Sequence, residues 1–487
     1  SSTSRGLGDV YKRQLQDMMI KPPPGIPYGI PAVPRNVKAL VGDKSALIYF
    51  DPPTNARVSQ VSSYKIHVSP TNTDQIVTSS PALITGLKNG STYSFSLNAI
   101  NALGISDSAT TNAVIPQASW RSSVIDPVAD GKFLTTGTYA GQQKILYSDS
   151  KHGLLKMATY VKGRWQISVL DGDSTKAGRT KNNVAGNISM CTGKIGTKDI
   201  LDIFYADLTN KDLRNAEFDG KKWSYSVVDG DAEKVQDYKE IPRARTGSDV
   251  SVSSACVRTQ SGLQVFYRDD SQGILLGAVK DKNDWRYEIV DGDKETNGRT
   301  TGDTAFHLKA INIGNHVYVA YDSVLAVNND HKALRGEVRI ASRTTAYPED
   351  WQYTTVQTFG GPVAVAGFDV SLLLQGKTLY AAWLNASGIS VPNASQVAWN
   401  SVTPLSDPVA VNTDYYGIPA APISINDKSV LFECSSRLCA INKADQTISL
   451  VSNGNFDNSA RSEWITINKS RYVLTNSDGK LSLFKQP

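Results

Sequence analysis

Arginines and aspartates recur at matched positions through the middle of this chain, in groups that could hold a polar ligand. Asp149, Asp207 and Asp269 each close a Tyr-x-Asp triplet that begins at Tyr147, Tyr205 and Tyr267. The same three stretches run on to Trp165, Trp223 and Trp285, and then to Asp171-Gly172-Asp173, Asp229-Gly230-Asp231 and Asp291-Gly292-Asp293. Arg179, within Gly178-Arg179-Thr180, lies six residues after Asp173, and Arg299, within Gly298-Arg299-Thr300, six after Asp293; in the second stretch Arg245-Thr246 follows an insertion. Arg214 and Glu217 add a further donor and acceptor ahead of Asp219-Gly220 and Trp223. Guanidinium forks and carboxylates of this kind hydrogen-bond sugar hydroxyls or an anionic group, with neighbouring aromatics stacking on a sugar face. A structural reading competes: the glycines supply positive φ, the aspartates cap turns, and each arginine pairs back to an aspartate. Repetition favours the structural reading, because every junction of a repeated fold needs the same loop. Calcium at Asp171 and Asp173 is the weaker possibility, since Asp-x-Asp lacks the further carboxylates that complete six to eight oxygens. No other cofactor is expected.

Catalytic signatures are sparse, and no catalytic residue is assigned. The five histidines, His67, His152, His307, His316 and His331, form no His-Glu-x-x-His or comparable metal spacing. No Gly-x-Ser-x-Gly elbow and no phosphate-cradling glycine loop occurs. Glycosidase chemistry needs two carboxylates at a set separation. Sequence alone does not say which aspartates converge, so a glycoside hydrolase stands as the alternative to a binding protein. The formal charge of +5 arises from 51 Lys and Arg against 46 Asp and Glu, interspersed without a concentrated basic face. That argues against nucleic acid as a partner. No apolar run approaches the ~18–20 residues of a membrane span. The four cysteines allow two pairs, Cys434 with Cys439 across a turn and Cys191 with Cys256 on corresponding strands, with buried free thiols as the alternative. An even count with two plausible pairs favours an oxidising, secreted or cell-surface setting.

The elements that must position these residues are short strands. Trp165, Trp223 and Trp285 stand 58 and 62 residues apart, a repeat period. Within each repeat apolar residues alternate, as in Trp223-Ser-Tyr225-Ser-Val227, and turn-formers such as Asp219-Gly220 separate the runs. With a further strand ahead of each Tyr, the unit has four antiparallel strands, the composition of a propeller blade. Ala310 to Asp322 with Leu334 to Ile340 and Trp351 reads as a fourth unit with a longer insertion. Leu379 to Trp383 with Val397 to Trp399 reads as a fifth, and Val430 to Cys434 with Leu438 to Ile441 as a sixth. Trp464 to Ile467, Tyr472 to Leu474 and Leu481 to Phe484 make a seventh that stops after three strands. Trp120 to Asp126 repeats the fourth-strand wording ahead of the first unit, so pairing of residues 120–126 with 480–486 would close a ring of roughly seven blades and remove two sheet edges. Such a closure implies a genuine C-terminus. Six or eight blades are the alternatives.

Residues 32–117 have a different rhythm. Ala46 to Pro53, Tyr64 to Val68 and Leu87-Lys-Asn89-Gly90-Ser-Thr-Tyr93-Ser-Phe95, followed by Asn98 to Ser106, resemble a fibronectin type III domain, with Tyr93 at the tyrosine-corner spacing. Phe50 stands where that family's core Trp is usual, and another aromatic should fill the space. Residues 15–31, rich in proline, read as a stiff linker. Asp9 to Gln14 resembles the in-frame translation of a sequencing adaptor, so residues 1–14 are set aside as an artefact of assembled environmental DNA. The repeats resemble sialidase-type propellers in hairpins such as Asn476-Ser-Asp478-Gly479, without the complete Asp-box. They are more similar to fucose-binding lectin propellers, whose repeats run Tyr-x-Asp, Leu-Arg-x-x and Asp-Gly-x-x-Trp; the second repeat keeps Arg214 and Glu217, while Lys156 and Leu276 replace the arginine in the first and third. The chain is therefore read as an all-β, secreted or surface-displayed monomer with a fibronectin type III sandwich and a propeller (118–487). It binds a glycan or a surface protein and catalyses nothing; a structural spacer is the further alternative.

Overall fold

The computed structural model describes residues 29–118, 120–234, 244–259, 262–281, 284–327, 333–344, 351–360, 364–387, 396–413, 423–434, 437–452, 456 and 460–486. The adaptor-like segment, most of the proline-rich linker and His331 lie outside the described residues. The chain divides into two compact units, one reaching to Ser119 with Ile448–Leu450, the other Trp120–Thr447 with Val451–Pro487.

In the first unit, alternating residues build two sheets. Arg35–Gly42, Ser45–Asp51 and Ala82–Thr85 form one. Thr73–Val77, Ser63–Ser69 and Ser94–Asn101, with the short strands Gly104–Ile105 and Ala109–Thr110, form the other. Ser94–Asn101 turns Phe95, Leu97 and Ala99 inward onto Ala46, Ile48 and Ile66. Phe50 meets Tyr64 with ring centroids 4.5 Å apart, so Tyr64 supplies the expected second aromatic. The Tyr93 hydroxyl accepts the backbone N–H of Lys88 at 3.0 Å and pins the corner as its spacing predicts.

The second unit consists of consecutive antiparallel sheets. The first is Leu134–Tyr139, Gln142–Asp149, Leu154–Val161 and Arg164–Asp171. The second is Ile188–Ile195, Lys198–Asp207, Asp212–Phe218 and Trp223–Asp229, and the third is Ser254–Thr259, Gly262–Asp269, Ile274–Asp281 and Asp284–Asp291. The fourth (Asp303–Ile313, His316–Val327, Ala333–Thr344, Gln352–Gly360) departs from the sequence expectation, because its strands reach 12 residues. It joins the fifth (Ala364–Gln375, Thr378–Ser387, Gln396–Thr403, Val409–Asn412) through a parallel bridge, Arg335 to Ala364. The sixth comprises Ser424–Ile425, Ser429–Glu433 and Leu438–Asn442, with Ile448–Ser452 next in order. The seventh pairs Ser462–Ile467, Ser470–Ser477 and Lys480–Lys485 with Arg121–Asp126 from the other end of the unit, in the register Leu481 to Asp126 and Lys485 to Arg121.

The first strand of each sheet lies against the first strand of the next, and that of the seventh lies against that of the first. Hydrophobic cores fill the spaces between consecutive sheets. Leu146, Leu155 and Leu170 pack on Ile203 and Tyr205, and Ile465, Leu474 and Leu483 pack on Leu134, Ile145 and Ala158. Apolar faces on both sides explain why the second strands are buried almost throughout and do not alternate apolar with polar. Both cysteine pairs are disulfides: Cys191–Cys256 joins neighbouring first strands at a Cα separation of 5.8 Å, and Cys434–Cys439 closes a hairpin at 5.9 Å.

Candidate functional site

The repeated aspartates meet the repeated tyrosines across the sheet junctions. Tyr205 donates its hydroxyl to Asp171 Oδ2 at 2.6 Å, Tyr267 to Asp229 at 2.6 Å, Tyr321 to Asp291 at 2.5 Å and Tyr147 to Asp126 at 2.9 Å. The other oxygen of each Asp-Gly-Asp carboxylate closes the loop that follows: Asp171 Oδ1 accepts from Gly172 and Thr180, Asp229 Oδ1 from Gly230 and Thr246, and Asp291 Oδ1 from Gly292 and Thr300. Gly172 is obligatory here: its φ is 101°, and a Cβ would stand 2.6 Å from the Gly153 carbonyl oxygen. Burial first, and then the facing carboxylate, push the Tyr205 and Tyr321 phenols well up, so both stay donors.

Asp149, Asp207 and Asp269 are fully buried at the ends of second strands. Asp207 accepts the backbone N–H groups of Thr209 and Asn210, both at 3.1 Å, and Asp269 that of Gln272 at 3.1 Å. Asp149 pairs with Lys156 Nζ at 2.7 Å and His152 Nδ1 at 2.8 Å. Burial raises the Asp149 pKa, but the bonds to Lys156 and His152 outweigh it and hold the carboxyl below its usual range. Arg179 pairs with Asp173, Arg245 with Asp231 and Arg299 with Asp293. Arg214 crosses to the first sheet, donating to the Gly178 carbonyl at 2.7 Å and the Tyr205 hydroxyl at 3.3 Å. Glu217 faces the third sheet, where it accepts from Lys280 at 2.8 Å. Three positions apart on one strand, Arg214 and Glu217 point to opposite faces, so the structure does not bring them together.

The fourth sheet carries an arginine that sequence spacing did not reveal. Arg339 stands opposite Tyr321 in the register that sets Arg214 opposite Tyr205. It repeats the contacts of Arg214, reaching Asp291 Oδ2 at 3.1 Å, the Tyr321 hydroxyl at 3.4 Å and the Gly298 carbonyl, and adds Glu337 at 2.9 Å. The signal was displaced because 18 residues separate Tyr321 from Arg339, against nine between Tyr205 and Arg214. Beside Arg339 the junction opens into a cleft of about 420 Å³, lined chiefly by Glu295, Arg299, Thr301, Arg335, Glu337 and Arg339. Arg335 is exposed, and its guanidinium has no hydrogen-bond or ion-pair partner among the described residues. Arg299 Nε is buried without an acceptor. Glu295 accepts from Thr301 at 3.1 Å. Of the residues singled out from sequence, Arg299 alone lines this cleft.

A second, smaller cavity of about 170 Å³ lies among the first strands of the fourth to seventh sheets, where Lys309, Asp369, Arg461, Glu463 and Trp464 meet.

Among solved structures, the fucose-specific lectin from Aleuria aurantia (Hg-derivative form) is similar over 67% of this chain and 96% of its own, at 13% identity and a TM-score of 0.37. A structure described as "Structure of FN3tt mut" is similar over 18% of this chain and 97% of its own, at 19% identity and a TM-score of 0.16. No curated protein matches the chain. Residues 32–114 match the sequence model of the fibronectin type III domain, and with the sandwich and its tyrosine corner they are such a domain.

Proposed function

We propose that residues 120–487 form a seven-bladed β-propeller in a secreted or surface-displayed, non-catalytic binding protein, and that a glycan occupies the cleft between the third and fourth sheets. The succession of first strands that returns to its start, together with the pairing of Arg121–Asp126 and Lys480–Lys485, supports the ring. Two disulfides and a fibronectin type III domain support the oxidising location.

The observation that carries the ligand reading is the polar balance of the cleft. Arg335 offers donors without internal acceptors, Arg299 adds positive charge to the lining, and Glu295 and Glu337 offer carboxylate oxygens beside them. Adjacent donors and acceptors are what vicinal hydroxyls require, because each hydroxyl both donates and accepts. At about 420 Å³ the cleft falls within the common range for small-molecule sites, roughly 300–1,000 Å³.

Screening the protein on a broad glycan array, with and without calcium, tests the reading. The expected result is binding to a restricted glycan set, lost in Arg335→Gln and Arg299→Gln and kept in Lys280→Gln at the neighbouring junction. Silence across the array would overturn it and leave a protein-binding or spacer role.

A further inference from the structure

We propose that the cavity among the first strands of the fourth to seventh sheets is a second binding site, separate from the glycan cleft, for a three- or four-carbon carboxylate that also bears a hydroxyl group. The charges within it are unevenly satisfied. Lys309 Nζ donates to Glu463 Oε1 at 2.9 Å, and Glu463 Oε2 accepts the Thr136 backbone N–H at 3.0 Å, so these two side chains neutralise one another. Asp369, 2% exposed, accepts the Val370 N–H on one oxygen at 2.9 Å and the Ile423 N–H on the other at 2.8 Å. Each of its oxygens retains a lone pair. Its backbone sits at φ 80°, an unusual conformation for a non-glycine residue.

Arg461 is the unmatched group. Its backbone N–H donates to the Lys132 carbonyl at 2.8 Å, but its guanidinium has no hydrogen-bond or ion-pair partner among the described residues. A guanidinium offers a planar fork of five donors that matches a carboxylate bidentately. An oxyanion on Arg461 with a hydroxyl donating to Asp369 would satisfy both residual groups, leaving the Lys309–Glu463 pair intact. Size narrows the ligand further. A cavity of about 170 Å³ is comparable to one of roughly 150 Å³ that holds benzene, so it admits about six non-hydrogen atoms and excludes a hexose. Trp464 lines the same cavity and supplies an optical reporter.

Titration calorimetry and tryptophan fluorescence on the full chain at constant ionic strength, with L-lactate as the probe, test the site. Saturable binding of lactate is expected, with propionate about tenfold weaker for want of the hydroxyl, and with no binding of glycerol, which lacks the carboxylate. Arg461→Gln should weaken lactate about tenfold or more, while Arg335→Gln in the glycan cleft should leave it unchanged. Should Arg461→Gln fail to fold by circular dichroism, Arg461→Lys decides: several-fold weaker lactate binding supports the site, and unchanged affinity overturns it. Absence of saturable lactate binding by the unmodified protein, equal affinity in folded Arg461→Gln, or equal competition by chloride would also overturn it. Because none of these readouts uses a glycan, failure of the cleft reading leaves this site standing, and the reverse.

Discussion

At the scale of single residues, four junctions of the second unit share one repeated contact, a buried tyrosine hydroxyl on a buried aspartate. Asp171 is fully buried and holds Tyr205, two loop N–H groups and, at 3.5 Å, Arg214 Nε. Tyr205→Phe keeps the ring and removes only the donor, so it should cost about 1–3 kcal/mol, the range for leaving a buried polar group short of a partner. Chemical denaturation checks this, and a change well below that range would show that Arg214 takes over the vacated oxygen. Asp212 behaves in the opposite sense. Burial, followed by Asp207 and Asp231, pushes its pKa from 3.8 up to about 6. The protonated carboxyl therefore favours the fold; that contribution is complete below the unfolded value and is lost as pH rises through about 6. Asp212→Asn is expected to stabilise by roughly 1–3 kcal/mol near pH 8 and by little near pH 3.5. Thermal melts across that range measure it, and a pH-independent gain would rule out charge as the cause.

At the scale of elements, the two disulfides do different jobs. Cys191–Cys256 closes 65 residues and ties the first strand of one sheet to that of the next, whereas Cys434–Cys439 closes five within a hairpin. Loop-closure entropy gives about 4 kcal/mol for the longer crosslink and about 2 kcal/mol for the shorter. Replacing Cys191 and Cys256 by alanine should thus lower the denaturation midpoint more than replacing Cys434 and Cys439. Equal effects would place the stabilisation in local packing of the sulfurs. The long strands of the fourth sheet have a separate consequence, since they carry Arg335, Glu337 and Arg339 to the cleft beside the loop that holds Arg299.

At the scale of the whole molecule, Arg121–Asp126 is the strand whose removal should matter most. It is the fourth strand of the seventh sheet, and Ile125 joins the core that the seventh sheet shares with the first. A chain beginning at residue 127 would leave Lys480–Lys485 as an unpaired edge and open that core. It is expected to lose cooperative unfolding and to aggregate, whereas a chain beginning at residue 118 should keep the melting behaviour of this unit. Differential scanning calorimetry with light scattering distinguishes the two, and an unaltered melt for the shorter chain would refute the closure.

Much of this was legible in the sequence because it is encoded locally. The first three sheets announce themselves through hairpins whose strands are neighbours in sequence, so alternation, Asp-Gly turns and the recurring Trp and Tyr mark each strand and its order. Tyr93 and the pairing of residues 120–126 with 480–486 were readable for the same reason: each repeats a local wording whose partner is known. What the residues do was decided only by tertiary packing. Asp149, Asp207 and Asp269 look like ligands in a motif, yet the adjoining sheet buries them as turn caps and ion-pair partners. Arg339 escaped detection because a longer hairpin changed its offset from Tyr321 while the strand register preserved their contact. Lys309, Asp369, Arg461 and Glu463 share no spacing at all. They meet because successive first strands lie side by side, and a period of two along a strand cannot specify which distant strand will face it.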